Sequence, residues 1–181
     1  IDRELEKYSC GDWLLIQNET NCLEYIMRAA NKKGMKIAFN PSPMDGTVST
    51  LPLELVDLFL VNEIEGAAVT GKEITEEITA EFEKLFPNAA VILTLGKKGS
   101  IFKSEKDMLF QPSYCGTVKD TTGAGDTYTG FFIANYIKGV SPQECMRIAA
   151  MASTVQISRD GAAIAIPKKQ EVLNALKNHC R

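Results

Sequence analysis

Histidine is almost missing from these 181 residues: the one present, His179, sits two residues from the C-terminus. A surface position on a fraying terminal helix is the plain reading of it. Ser-His-Asp chemistry and histidine acid–base catalysis are therefore excluded within the chain. A proton acceptor must be a carboxylate, lysine, tyrosine or thiol. Paired cysteines are missing too. Cys10, Cys22, Cys115, Cys145 and Cys180 are odd in number and include no C-x-x-C. That pattern fits neither a disulfide framework nor a zinc site, and it implies reduced thiols and a cytoplasmic setting. No apolar run reaches the ~20 residues of a membrane-spanning helix. No basic block occurs and the net charge is −3, which argues against a nucleic-acid partner.

What is present is ordinary for a globular chain with one core: 45% hydrophobic and 24% charged residues. Trp13–Gln17, Lys36–Phe39, Leu58–Val61 and Ala90–Leu95 are short apolar runs that predict buried strands. Between them lie helical patterns. The first carries Leu23, Ile26, Met27 and Ala30 on one face, with Thr20 expected to cap it and Gly34 to close it. Glu63–Thr70 follows, then Thr75–Phe86 with Ile78, Phe82, Leu85 and Phe86 expected inward. Ser100–Lys103 and Asp107–Gln111 predict a hairpin. Ser141-Pro142 opens a buried helix to about Ser158, and Pro167–Asn178 an amphipathic one. Alternating strands and helices predict an α/β fold, a mostly parallel sheet flanked by helices with right-handed crossovers. Ligands in such sheets bind beyond the carboxyl ends of the strands.

One stretch organises the rest: Asp120-Thr121-Thr122-Gly123-Ala124-Gly125-Asp126, just before the apolar run Thr127–Ile137. Glycines one residue apart allow a tight turn and close approach to a ligand. The unpaired N–H groups of a helix start attract anions, phosphate above all. A dinucleotide fingerprint would need its third glycine two positions earlier than Gly130, and a P-loop would need lysine where Phe131 stands. A tight turn with Asp126 as a helix-start acid is the simplest alternative.

The full string D-T-T-G-A-G-D-T-Y-T-G resembles the C-terminal signature of the ribokinase-like (PfkB) carbohydrate kinase family. The resemblance implies that Asp126 is the catalytic base and that the amides of Gly123, Ala124 and Gly125 form an anion hole for the transferred phosphate. Two further motifs stand in the family's order. Asn62-Glu63-Ile64-Glu65 resembles its N-x-x-E, which implies that Asn62 reaches the nucleotide phosphates and Glu65 organises Mg²⁺ and water. On residues alone the pair reads as a capping box. Thr94-Leu95-Gly96-Lys97-Lys98-Gly99 resembles T-x-G-x-x-G, which implies Thr94, Gly96 and Gly99 along the nucleotide; Ala150 occupies a helix position where the family can place a polar residue near the base. Lys97 and Lys98 read as solvated turn charges.

Gln17-Asn18-Glu19 is similar to a Q-x-E of the family's ribokinases, implying that Glu19 contacts the sugar, although Asn18 replaces an apolar residue. Phe39-Asn40-Pro41-Ser42-Pro43 is similar to their F-N-P-x-P; alone it is an Asx-Pro turn. Asp120, Thr122, Gln156, Arg159 and Gly161 match the positions that enclose a potassium-like cation, but Ala165 stands where a serine completes that site. The resemblance thus implies ATP, Mg²⁺ and K⁺ as cofactors. It also implies phosphoryl transfer to a primary hydroxyl of ribose, with a fructose-like sugar or a nucleoside as alternatives, and it admits a homodimer of the full-length protein. It covers residues 1–181 as the C-terminal part of one kinase domain. The family's N-terminal strands, sugar-contacting aspartate and β-sheet lid lie outside these residues. The expectation is that the isolated chain is inactive or a non-catalytic nucleotide-binding fragment.

Overall fold

A computed structural model describes residues 1–179; Cys180, one of the cysteines noted above, lies outside the described residues. A short helix α1 (Asp2–Leu5) precedes strand β1 (Trp13–Gln17), α2 (Leu23–Lys32) and β2 (Lys36–Asn40). Then come β3 (Leu58–Asn62), α3 (Glu63–Thr70), α4 (Thr75–Leu85) and β4 (Ala90–Thr94). The chain continues through β5 (Ser100–Lys103), β6 (Met108–Gln111), α5 (Ala124–Tyr136), α6 (Pro142–Ile157) and α7 (Lys169–His179). The six strands form a mixed sheet in sequential order, flanked by helices. The chain divides into two compact units, residues 1–94 with 103–108, and 95–102 with 109 onward.

In the first unit β1, β2, β3 and β4 are parallel neighbours, registered Trp13 with Lys36, Phe39 with Phe59 and Asn62 with Thr94. β3 and β4 are apolar because both faces are covered: Leu58 to Val61 and Val91 to Leu93 are all 3% exposed or less. α4 packs Ile78 and Phe82 inward. Leu85, expected inward, is exposed, because the helix ends there and Phe86 leaves the helical path. The Phe86 ring lies 4.7 Å from that of Phe59 and covers the core in place of Leu85. Thr20 does not cap α2. The helix starts after Cys22, which adopts a left-handed conformation (φ 59°) with no side-chain cap. In the second unit α6 packs on α7 through Ile148, Met151, Ala152, Val172 and Leu176. Ser141 caps α6 with Pro142 at the first helical position, as its sequence predicts.

Candidate functional site

The loop before α5 is held from both ends. Asp120 Oδ1 accepts from the Thr122 amide at 2.9 Å, and Oδ2 accepts from the Gly161 amide at 3.1 Å. These N–H groups and the Thr122 hydroxyl favour the charged form, and the Thr122 amide holds the carboxyl below its usual range most strongly. Gly123 then takes a left-handed conformation (φ 79°) as the N-cap of α5. That geometry suits a residue without Cβ, and it turns the chain sharply into the helix. The helix therefore begins at Ala124, three residues before the apolar run suggests, and Asp126 falls in its first turn. The Ala124 amide is closed into the turn, donating to the Thr121 carbonyl at 3.1 Å, while Ser153 Oγ donates to the Ala124 carbonyl at 2.9 Å. A Cβ built on Gly125 would meet nothing within 4 Å. Gly125 and Asp126 are thus presented at an open, exposed helix start, where an anion is favoured.

Of the cation-site positions, Asp120, Thr122, Gln156 and Gly161 come together. Gln156 is fully buried at the end of α6. Its Nε2 donates to the Thr122 carbonyl at 2.6 Å and faces the Gly161 carbonyl at 3.5 Å. Arg159 turns its guanidinium elsewhere, to Glu171 at 2.5 Å and the Ala165 carbonyl at 3.5 Å. The sequence places Gln156 among the cation-site positions but does not foretell that its side chain fills the space between these carbonyls. A glutamine that is fully buried near the end of a helix whose buried residues are otherwise apolar is the signal that marks it.

On β5 and α5 of the same unit a buried polar pair, Ser100 and Tyr128, shares a 2.7 Å hydrogen bond, and burial raises the Tyr128 phenol well above its usual range. Gly99 serves a packing need. At φ 121°, an added Cβ would lie 2.1 Å from the Gln111 carbonyl oxygen. Gly96 is also left-handed, in the turn after Leu95, and Ala150 is buried in α6.

In the first unit Asn62 ends β3 and caps α3. Its side chain accepts from the Glu65 amide at 2.9 Å, and the Glu65 carboxylate accepts from the Asn62 amide at 2.9 Å. This is the capping box that residue types alone suggest. It leaves Glu65 only 7% exposed. Thr94 Oγ1 donates to the Val61 carbonyl at 3.3 Å. Glu19 is exposed beyond β1. Asn18 is polar for a local reason: its Nδ2 donates to the Pro43 carbonyl at 2.8 Å, tying down the loop after β2. Asn40 accepts from the Ser42 amide at 2.8 Å, forming an Asx turn.

Among the described residues no group of three or more His, Cys, Asp or Glu side chains could hold a metal ion, and no helix is long and apolar enough to cross a membrane.

Comparison with known proteins covers most of the chain. Residues 8–169 match the model of the pfkB family carbohydrate kinases. A ribokinase of Haemophilus influenzae is 32% identical over 174 residues, which span 93% of this chain and 56% of that protein. Among solved structures, a Thermotoga maritima ribokinase superposes with a TM-score of 0.81 at 29% identity, over 92% of this chain and 57% of its own. An Arabidopsis thaliana ribokinase complexed with ribose and ATP gives 0.80 at 29% identity, over 91% of this chain and 55% of its own. The chain thus spans a little over half the length of these relatives.

Proposed function

The chain belongs to the pfkB family of carbohydrate kinases, and on that premise we propose that it carries the nucleotide-handling and proton-accepting residues of an ATP-dependent ribose kinase. The observation that carries this reading is Asp126, an exposed carboxylate in the first turn of α5 beside the open Gly125, in a chain with a single histidine. Phosphoryl transfer asks little covalent chemistry of a protein. It needs an acceptor hydroxyl held in line, a carboxylate to take its proton and donors for the phosphoryl oxygens. Asp126 takes the proton. The helix start at Gly123, Ala124 and Gly125 faces the phosphoryl charge, chiefly through Gly125, since the Ala124 amide is closed into the turn.

Asn62, Glu65, Thr94, Gly96, Gly99 and Ala150 are assigned to the nucleotide. Glu65, already fixed by the capping box, is the residue that would hold hydrated Mg²⁺. A hard cation that keeps most of its waters and phosphate ligands needs one oriented carboxylate rather than a cage. Bound Mg²⁺ would neutralise phosphate charge. No step is assigned to a monovalent cation, because the Thr122 and Gly161 carbonyls already face the Gln156 amide. Glu19 is assigned to the sugar. Ribose is favoured by Glu19, the Asn40 loop and the Arabidopsis thaliana relative complexed with ribose and ATP.

The test is ADP release by the full-length protein with ribose, fructose and adenosine in parallel. Ribose should give the highest kcat/KM. ADP release that is equal with and without ribose would refute the reading, and higher kcat/KM for fructose or adenosine would move the substrate.

A further inference from the structure

Two backbone segments converge at the buried end of α6, residues 120–123 and residues 157–165, and one side chain stands between them. Gln156 is 0% exposed. Its Nε2 lies 2.6 Å from the Thr122 carbonyl and 3.5 Å from that of Gly161. Carbonyl oxygens that point at one spot repel unless a donor or a cation lies between them. Here the donor is an amide nitrogen. We propose that the Gln156 carboxamide replaces a monovalent cation at this spot, so that the loop before α5 is built and held without one.

Three observations agree. Ala165 supplies no side-chain oxygen, and its carbonyl is turned to Arg159 Nη1 at 3.5 Å. Asp120 has both carboxylate oxygens engaged by amides, those of Thr122 and Gly161, which give it the positive partners a cation would otherwise give. The third is the orientation of the amide. Its Oε1 is buried with no hydrogen-bond partner among the described residues. Turning the amide over would set Oε1 against the Thr122 and Gly161 carbonyls. Only a cation among the three oxygens would stabilise that arrangement. The observed orientation and a bound cation therefore exclude one another.

The test reads stability, so it is independent of which sugar is phosphorylated. The full-length protein is melted in potassium, sodium, caesium and choline chloride at equal ionic strength. The unmodified protein should melt within about a degree in all of them. A cation at saturating excess would instead raise Tm by roughly 5 °C or more. Gln156→Glu keeps the side chain's size but loses both N–H donors, so it should melt at least that much higher in potassium than in choline. A potassium-specific rise of that size in the unmodified protein would overturn the proposal, as would a Gln156→Glu protein that melts alike in every salt. If Gln156→Glu does not fold in any salt, crystals of the unmodified protein grown in rubidium decide. No anomalous peak should lie between the Thr122 and Gly161 carbonyls, and a peak there overturns the proposal.

Discussion

Replacing Glu65 with glutamine separates two roles that one carboxylate combines. The residue is a structural part of α3, because its carboxylate accepts from the Asn62 amide at 2.9 Å while Asn62 accepts from the Glu65 amide at the same distance. It is also the proposed anchor of hydrated Mg²⁺. Glutamine keeps an acceptor oxygen at the same reach, so the reciprocal pair survives. The loss is confined to charge at a helix start, about 0.3–1 kcal/mol. Alanine removes the acceptor and should cost about 1–2 kcal/mol. At ~2–4 °C per kcal/mol for a chain of about this size, Glu65→Gln melts within a few degrees of the parent and Glu65→Ala roughly 2–8 °C lower. The metal role has a different signature. An interaction with a charged group is worth about 1.5–3 kcal/mol, and every ~1.4 kcal/mol is tenfold. The Mg²⁺ concentration for half-maximal turnover in Glu65→Gln should thus rise about tenfold or more. The KM for sugar should move by less than about threefold on the same scale. The assay is a Mg²⁺ titration of ADP release by the full-length protein at saturating ATP and ribose, beside a thermal melt. A Glu65→Gln protein with the parent's Mg²⁺ midpoint would show that the carboxylate only caps α3.

Asp126→Asn should leave ATP binding, read by calorimetry, nearly unchanged while kcat falls by about 10² or more; near-normal turnover would remove the residue from the proton-transfer role. The two glycines of the proposed phosphate region should respond oppositely. Gly99→Ala, whose Cβ would lie 2.1 Å from the Gln111 oxygen, should lose ~3 kcal/mol or more in urea unfolding. Gly125→Ala, with open space around it, should fold normally and lose turnover. Asp120→Asn tests the loop through pH. A carboxyl held below its usual range favours the folded state at higher pH, and that advantage is lost as pH falls through the folded-state value. The variant should therefore be less stable at neutral pH and lose less on acidification below about pH 4, as read by urea midpoints across pH. Some acid sensitivity remains, because Asp45, Glu81, Glu144 and Glu171 are shifted the same way.

Leu58–Val61 and Ala90–Leu95 were legible because burial on both faces demands apolar runs, and they differ from the observed strands by one residue at an end. Trp13–Gln17 is the strand its residues predict, but it is not the buried one expected: only Ile16 is buried and Leu15 is exposed. The capping box at Asn62 and Glu65 was legible because its partners lie one turn apart. The D-T-T-G-A-G-D string marked the helix start for the same reason, since a turn and the first amides of a helix are local. Other features depended on residues distant in sequence. Leu85 has the spacing of a core residue, but Phe86 reaches the Phe59 ring and takes its place. Gly99 looked like a residue for ligand approach, and the Gln111 carbonyl shows that packing also requires it. Asn18 is polar because of Pro43, 25 residues on. Gln156 meets Thr122, 34 residues earlier, across a turn that periodicity cannot place. Local hydrogen bonding and burial act over one turn or one strand, and sequence spacing reports them. Which oxygen an amide nitrogen meets, and whether a cation has room beside it, is decided only when distant segments are folded together.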